Sequence, residues 1–360
     1  MSKISARYLA TVCRLIGLVM STFAVATTLS FVLASLFPAL SQEKMMQRDA
    51  RRIEAAKKEG KLVFWSSGGV KELEAVLAKF REKYPFLKTE VWRSGSAARH
   101  EKILAEARAG IYNFDVAATD LEFIRELRKA GVMKKYDWPN TKEWAPRHKD
   151  PEGYWVSRNI LPVVIGYNTN LVSAAEAPKT WEDVLDPKWK GAISVDKDAG
   201  DWVLMLWDAW GKEKVVNYLK RLSQNNLVLG PGSTARTEML AAGAFKIDVR
   251  LNLNRILEYQ DKGAPLDWVR TNPIIAKGTP IFIAERAPHP NAAMLYADWY
   301  TSLEGGQAYN AASVRLTPHP GIKSRLSEAL KGLNMSFTSA DIAVHGNEAN
   351  KIFEDIFLKK

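Results

Sequence analysis

Apolar and polar positions follow two regular patterns along most of this chain. Residues 61–65 form a short apolar run that predicts a strand, and residues 70–83 carry apolar side chains at three- and four-residue spacing, which predicts an amphipathic helix. Ser66-Ser67-Gly68-Gly69 lies between them and predicts a flexible turn. The local order is therefore strand, Gly/Ser loop, helix.

The same unit recurs twice in the first half of the chain. The pattern predicts strands at 87–92 and 114–118, each followed by a polar exit loop, and then helices at 97–109 and 121–130. Strands that alternate with helices of this length indicate a parallel sheet covered by helices. Ligands of such sheets bind beyond the carboxyl ends of the strands, where the exit loops lie.

The second half repeats the element pattern without repeating the sequence. It predicts strands at 192–195, 227–229 and 247–252, and helices within 200–223, at 235–243, at 255–262 and at 290–303. Apolar segments at 153–168 and 265–286 are interpreted as two crossings between halves, and the tail from about 322 to 360 as helical, packing over the second half. We therefore expect an α/β fold of two discontinuous lobes with a cleft between them: lobe 1 from 42–163 plus 270–310, and lobe 2 from 164–269 plus 311–360.

The segment at the first crossing resembles a known family. The pattern runs Gly166-Tyr167-Asn168-Thr169-Asn170-Leu171, then Pro178-Lys179-Thr180-Trp181-Glu182-Asp183-Val184-Leu185, then Asp186-Pro187-Lys188-Trp189-Lys190-Gly191. It is similar to the crossover of the extracellular solute-binding proteins of ABC importers, near their ferric-ion-binding branch. The resemblance implies the type II periplasmic-binding-protein fold and a periplasmic protein that delivers a small-molecule ligand to an ABC permease in the inner membrane. It implies no enzyme and no cofactor, and we expect a monomer.

The N-terminal residues have the composition of a signal peptide. Lys3, Arg7 and Arg14 precede an uncharged apolar stretch from 15 to 37, and Ala39 and Ser41 supply small residues for cleavage after 41. We expect residues 1–41 to be removed; an uncleaved membrane anchor is the alternative, because the stretch is long enough to span a bilayer. Cys13 is the only cysteine, so the mature chain is expected to have no disulfide.

Charge narrows the class of partner only slightly. The chain carries a formal net charge of +11 at pH 7, which suits an anionic ligand, an anionic surface or a solvated exterior. No run of basic residues is interleaved with aromatics, so we expect no nucleic-acid partner.

Small and polar residues at the strand exits are the candidate ligand-binding groups. In the first half they are Ser66, Ser67, Gly95, Ser96 and Asp120, although small residues also suit any tight turn and Asp120 is equally placed to cap a helix. In the second half the candidates are Asp201, Trp202, Ser233, Thr234, Asn252 and Arg255. For residues in such positions, the more common interpretation makes Asp201 a helix cap and Trp202 a core residue.

Arg255 bears on the kind of ligand. In the ferric-binding relatives a Tyr-Tyr pair follows an Asn at about this point and ligates the metal, and here Asn254 and Arg255 align with that pair. A guanidinium has no acceptor lone pair and keeps its positive charge, so it cannot replace a phenolate on a trivalent cation. It favours a ligand with a carboxylate, phosphate or phosphonate group, which arginine grips in bidentate fashion.

Other motifs leave several alternatives open. The segment Gly230-Pro231-Gly232-Ser233-Thr234-Ala235 fits the dinucleotide-binding fingerprint, but Pro231 in the turn disfavours a nucleotide. Two interpretations are left: a binding site for a small anion at the start of the helix, or a simple turn. The five histidines show no metal-ligand spacing. A metal binder of the same fold, an enzyme on the same scaffold and a sensor subunit remain alternatives to a transport protein.

Overall fold

The computed structural model describes residues 49–359, so the expected signal peptide lies outside the described residues. Contacts divide the chain into two units, residues 1–58 and 59–360. Helix α1 occupies residues 49–59, and all the other described elements belong to the second unit. Within residues 49–359, no helix has both the length and the apolar character that crossing a membrane requires.

Up to the C-terminal tail, the described strands and helices largely follow the order expected from the sequence. The strands are β1 (Lys61–Ser66), β2 (Lys88–Arg93), β3 (Val116–Ala118), β4 (Val156–Asn168), β5 (Ile193–Asp196), β6 (Val228–Gly230), β7 (Ile247–Asn252), β8 (Leu266–Trp268), β9 (Ile274–Ile283) and β10 (Met335–Phe337). The helices are α2 (Val70–Lys83), α3 (Ser96–Arg108), α4 (Ile124–Lys129), α5 (Gly200–Trp210), α6 (Lys212–Ser223), α7 (Ser233–Ala241), α8 (Leu253–Gln260), α9 (Pro290–Thr301), α10 (Leu303–Ala312), α11 (Arg325–Ala329) and α12 (Gly346–Phe357).

The ten strands form one sheet that is organised around two long neighbours, β4 and β9. The order is β2-β1-β3-β9-β4-β7-β5-β6, with β8 beside β4 and β10 beside β9. β1 pairs in parallel with β2 and β3, and β5 pairs in parallel with β6 and β7. β4 and β9 run antiparallel to each other, from Val156 opposite Ile281 to Val163 opposite Ile275. The predicted α/β fold is confirmed, with two parallel groups joined by an antiparallel pair.

Apolar side chains form separate cores on the two sides of this central pair. One cluster gathers Trp65, Ile103, Phe114 and Phe282 beside the β1–β3 group. Others lie beside the β5–β7 group, one around Trp202, Leu206, Leu219 and Phe353 and one around Leu251, Ile256, Trp268 and Leu326. Burying each such side chain contributes about 1.5–3 kcal/mol. The division into two lobes, with boundaries at 163, 269 and 310, stays a prediction.

Local hydrogen bonds between side chains and backbone fold the crossover segment. The Asp183 amide donates to Thr180 Oγ1 at 3.3 Å, and the Thr180 amide donates to Asp183 Oδ2 at 2.9 Å. This reciprocal pair starts a single helical turn, Glu182–Leu185. Trp181 next to it is buried against Trp202, with ring centroids 6.1 Å apart. The turn is therefore anchored in the core beside β5.

The C-terminal tail combines helices with a strand that the sequence did not predict. β10 lies parallel to β9, with Ser336 opposite Ile275. α12 packs against α5 and places Ala349 and Phe353 in the core around Trp202. The three residues of β10 are too few to show an alternating pattern, which is why the segment was expected to be helical.

Candidate ligand-binding site

Arg99 ties two of the predicted strand exits together in the first half of the sheet. It lies in the first turn of α3, and only 1% of its surface is exposed. Its Nη1 donates to the Ser94 carbonyl at 3.0 Å, its Nη2 to Ser96 Oγ at 3.2 Å and its Nε to the Ala118 carbonyl at 2.5 Å. The exit of β2 and the end of β3 therefore meet at one guanidinium.

Ser66 places the exit of β1 beside the exits of β2 and β3. It ends β1, is fully buried, and accepts hydrogen bonds from the Gly68 amide at 3.3 Å and from Arg158 Nη1 at 3.0 Å. Ser67 and Gly95 are exposed beside it, and no atom lies within 4 Å of where a Gly95 side chain would begin. The polar side chains that meet at this edge, named here the serine–arginine cluster, are the buried Ser66, Arg99 and Arg158 and the half-buried Ser96.

Asp120 and Asp201 meet on one buried ammonium group. Lys277 of β9 places Nζ 3.2 Å from Asp120 Oδ1 and 2.9 Å from Asp201 Oδ2. Asp120 follows β3 and is also hydrogen-bonded by Ser96, whereas Asp201 lies in the first turn of α5. Lys277 therefore joins a strand exit beside the β1–β3 group to a helix start beside the β5–β7 group.

Ion pairs continue from Asp201 into the second half. Arg250 pairs with Asp201 and places Nη1 3.4 Å from Asp196 Oδ2. Arg236 of α7 pairs with Asp196 and donates from Nε to Asp248 at 2.8 Å. The resulting charged network consists of seven side chains: Asp120, Asp196, Asp201, Arg236, Asp248, Arg250 and Lys277.

Mutual stabilisation keeps most of the network ionised. Burial opposes the ionisation of Asp201, but Arg250 and Lys277 outweigh it and lower its pKa. Burial likewise opposes the charge of Lys277, but Asp120 and Asp201 raise the pKa of its ammonium group. Glu122 behaves differently, since burial raises its pKa to about 7, Lys277 opposes the shift, and Asp120 and Asp201 add to it. Its carboxyl therefore titrates near neutrality beside an ionised network.

The remaining predicted residues of the second half lie at other strand exits. Ser233 begins α7, and its Oγ accepts from the Asn252 amide at 3.2 Å, so these two residues are adjacent. Thr234 is exposed in the same helical turn. Arg255 lies in the first turn of α8 and pairs with Glu258 at 2.6 Å. No direct contact joins Ser96, Ser233 and Arg255 within residues 49–359.

Trp202 lies in the apolar core of the second half. Its side chain is fully buried among the residues around α5. This position matches the interpretation of Trp202 as a core residue.

Sequence reasoning missed five basic residues that organise the site: Arg99, Arg158, Arg236, Arg250 and Lys277. A signal for three of them was present, because Arg158, Arg250 and Lys277 place a positive charge inside strands that are buried along most of their length. A charge inside a buried strand requires a partner or a ligand. Arg99 and Arg236 lie in the first turns of helices, where nothing in the sequence distinguishes them from surface residues.

The arrangement is suited to holding an anion. Within the described part of the chain, neither Arg99 nor Arg158 has a carboxylate within ion-pair distance of 4.0 Å. Burial lowers the pKa of Arg99 to about 10, with Asp120 opposing the shift, so the group stays charged at neutral pH. Residues 49–359 contain no group of three or more His, Cys, Asp or Glu side chains placed to hold a metal ion.

Comparison with known sequences adds a family match. A model of bacterial extracellular solute-binding proteins matches residues 113–243. A Haemophilus influenzae protein of uncharacterised function is 27% identical over 275 residues, which cover 70% of this chain and 75% of the relative. A probable ABC transporter periplasmic-binding protein of Sinorhizobium fredii, y4fP, is 22% identical over 51% of this chain and 54% of its own length.

Comparison with solved structures shows the fold. The periplasmic binding protein AfuA of Actinobacillus pleuropneumoniae, solved with fructose-6-phosphate bound, has a TM-score of 0.71 at 22% identity and covers 84% of this chain and 99% of its own. Iron-bound HitA of Pseudomonas aeruginosa also has a TM-score of 0.71, at 16% identity over 82% and 99% of the two chains. Together with the family match, these likenesses confirm the resemblance predicted from the crossover: the chain is similar to the type II extracellular solute-binding proteins of ABC transporters, near the ferric-ion-binding branch.

Proposed function

We propose that the protein captures a small anionic solute, organic or phosphorus-containing, at the strand exits and delivers it from the periplasm to an ABC permease of the inner membrane. The observation that carries this proposal is the serine–arginine cluster. It places two guanidinium groups without carboxylate partners beside the hydroxyls of Ser66 and Ser96. No bond of the solute has to be made or broken for this role.

The donors of the cluster suit an anion better than a cation. Arginine presents several N–H groups in a fixed plane that matches carboxylate and phosphate oxygens. Ser67, Gly95, Ser233, Thr234 and Arg255 would add hydroxyl, amide and guanidinium donors from neighbouring exits. Both acids predicted for the site, Asp120 and Asp201, are already compensated by Lys277.

The charged network gives capture a structural mechanism. Asp120 and Asp201 come from opposite sides of the β4–β9 pair, and Lys277 of β9 holds both. A solute that contacts the strand exits of both halves binds the closed arrangement of the halves better than an open one. Binding would therefore shift the protein towards the closed arrangement. The closed face would then dock on the permease, and the protein would act as a monomer.

Thermal unfolding of the chain from residue 42, with a panel of ligands, tests the proposal. Inorganic phosphate, a sugar phosphate, a phosphonate and citrate are compared with ferric nitrilotriacetate. We expect one class of anion to raise the unfolding temperature saturably, with a stabilisation of about 2.7 kcal/mol at one hundred times Kd. Stabilisation by the ferric complex alone would establish the metal-binding alternative and overturn the proposal, as would chemical turnover of the bound anion.

Two arginine-to-lysine variants test whether the anion binds at the serine–arginine cluster. Arg99→Lys keeps the charge but loses the planar donor pair, so we expect the anion to bind at least about tenfold more weakly, which corresponds to about 1.4 kcal/mol. Arg221→Lys makes the same change on the exposed face of α6 and should leave the affinity unchanged. If Arg99→Lys and Arg221→Lys bind the anion with equal affinity, Arg99 is not part of the binding site.

A further inference from the structure

A small cavity lies beside the serine–arginine cluster, on the side of Arg158. Its lining includes Trp144, Arg158, Tyr300, Tyr309 and Thr317. The cavity has a volume of about 10 Å³, which is enough for one occupant of about the size of a water molecule. Its lining comes from three separate parts of the chain: β4, the loop before it, and the segment from α9 to residue 319.

Four donors on this lining have no hydrogen-bond partner among the described residues. They are Trp144 Nε1, Arg158 Nε, Tyr300 Oη and Thr317 Oγ1, and each residue is at least nine-tenths buried, with exposures of 5%, 3%, 5% and 8%. Leaving one buried polar group unpaired costs about 1–3 kcal/mol. Four such groups around one cavity indicate a missing acceptor.

The charge around the cavity is also uncompensated. Arg158 and Arg315 are both buried guanidinium groups, and the carboxylate between them, Glu72, forms its ion pair with Arg315 at 3.3 Å. Among residues 49–359, the hydrogen bond that Arg158 makes runs from Nη1 to the neutral Ser66 hydroxyl. Burial raises the pKa of Tyr300, so its phenol keeps its proton and remains a donor. Among the described residues, Arg158 therefore lines the cavity without a carboxylate within ion-pair distance to balance its charge.

We propose that this cavity is a binding site for a single monatomic anion, a halide such as chloride, which shares Arg158 with the serine–arginine cluster but lies on the other side of that side chain from Ser66. A water molecule could accept from Trp144 and Arg158 and donate to the two hydroxyls, but it would leave the charge of Arg158 unbalanced. A halide accepts from all four groups and also cancels that charge. The bound halide fixes the Arg158 side chain that holds Ser66. It therefore positions one wall of the serine–arginine cluster without contacting the transported solute.

Halide-dependent stability tests the site. The unfolding temperature is measured in sodium chloride, bromide and gluconate at equal ionic strength. We expect saturable stabilisation by chloride and bromide beyond that in gluconate. Identical curves in the three salts would overturn the proposal.

Two nearly isosteric variants remove donors without adding charge. Tyr300→Phe and Thr317→Val should each weaken the halide response at least about tenfold, the loss of one hydrogen bond to a charged group. Tyr259→Phe, whose hydroxyl contacts Glu238 near the surface, should keep the full response. If the cavity is dry, both cavity variants will be neutral or stabilising in every salt, since each then removes only an unsatisfied hydroxyl.

Crystals soaked in bromide give a direct readout. An anomalous peak within hydrogen-bond distance of Arg158 Nε and Tyr300 Oη is the expected result, and a water or an empty cavity there would contradict the proposal. The solute titration distinguishes failure of this proposal from failure of the proposed function, although both sites include Arg158. A protein that binds bromide at Arg158 but no anionic solute would retain the halide site and lose the proposed transport role.

Discussion

At the scale of single residues, the main feature is a buried charge placed inside an apolar strand. Lys277 lies on β9, where every residue is buried, yet its ammonium group has two carboxylate partners. Removing one partner of such a group leaves the other charge uncompensated, which costs several kcal/mol. The sequence shows the lysine but not its partners, because Asp120 and Asp201 reach it only after the sheet has formed.

Glu122 predicts how stability depends on pH. Its folded pKa of about 7 lies above the ordinary value of 4.5, so between these values the folded protein binds more protons than the unfolded chain. Stability contributed by Glu122 is therefore complete below pH 4.5 and falls as the pH rises to 7. We expect the free energy of unfolding of the wild type, relative to Glu122→Gln, to fall by about 1–3 kcal/mol over this range.

Urea unfolding at several pH values measures this difference. The comparison with Glu122→Gln cancels opposing contributions such as His148, whose pKa burial lowers to about 4, aided by Arg147. Exposed Glu101→Gln should change stability by less than about 0.5 kcal/mol. If the free energies of unfolding of the wild type and Glu122→Gln depend on pH in the same way, Glu122 has the same pKa in the folded and unfolded states.

At the scale of elements, the contact between α5 and α12 depends on a glycine. A Cβ atom at Gly200 would lie 2.9 Å from the Asn350 Cα and would overlap the Asn350 side chain outright. The side chain can rotate away, but the backbone of α12 cannot. Close approach of the C-terminal helix to the core therefore requires glycine at the first position of α5.

Substitution of this glycine should separate the two helices. We expect Gly200→Ala to lower the free energy of unfolding by about 1–3 kcal/mol, the usual cost of overpacking. Asn347→Ala on the exposed side of α12 should stay within about 0.5 kcal/mol of the wild type. Equal stabilities of Gly200→Ala and the wild type in urea would show that α12 adjusts without loss.

Much of the element order follows from local sequence, and the site does not. The periodicity at 70–83 and the alternation at 247–252 predict α2 and β7 with the observed bounds, because amphipathic patterns reflect burial on one face. Strand β10 was not predicted because it consists of three residues whose pairing with β9 is a tertiary contact. The roles of Arg99 and Arg158 were missed for a similar reason: Arg99 reaches the Ala118 carbonyl and Arg158 reaches Ser66 only once the sheet has assembled.

At the scale of the whole molecule, β4 and β9 form the most protected part of the sheet. They occupy the middle of the strand order, whereas β2 and β6 stand at its ends. All ten residues of β9 are buried, but β2 has no fully buried residue. Opening of the two edges therefore need not disturb the centre.

Hydrogen exchange should show this gradient directly. We expect amides of β4 and β9 to exchange only through global unfolding, and those of β2 and β6 at least about tenfold faster, through local opening. Mass spectrometry of peptides from these strands measures the rates. Uniform exchange across the sheet would contradict the gradient and indicate a single cooperative unit.

The antiparallel pairing of β4 with β9 has a consequence for the covalent continuity of the chain. Both passages between the two groups of strands lie side by side and bond along the length from Val156 to Val163. A nick in the exposed loop around residues 173–176 would leave each fragment with one of these strands. The fragments would remain associated through the backbone ladder, so this loop is the natural position for new termini in a circularly permuted or split form of the protein.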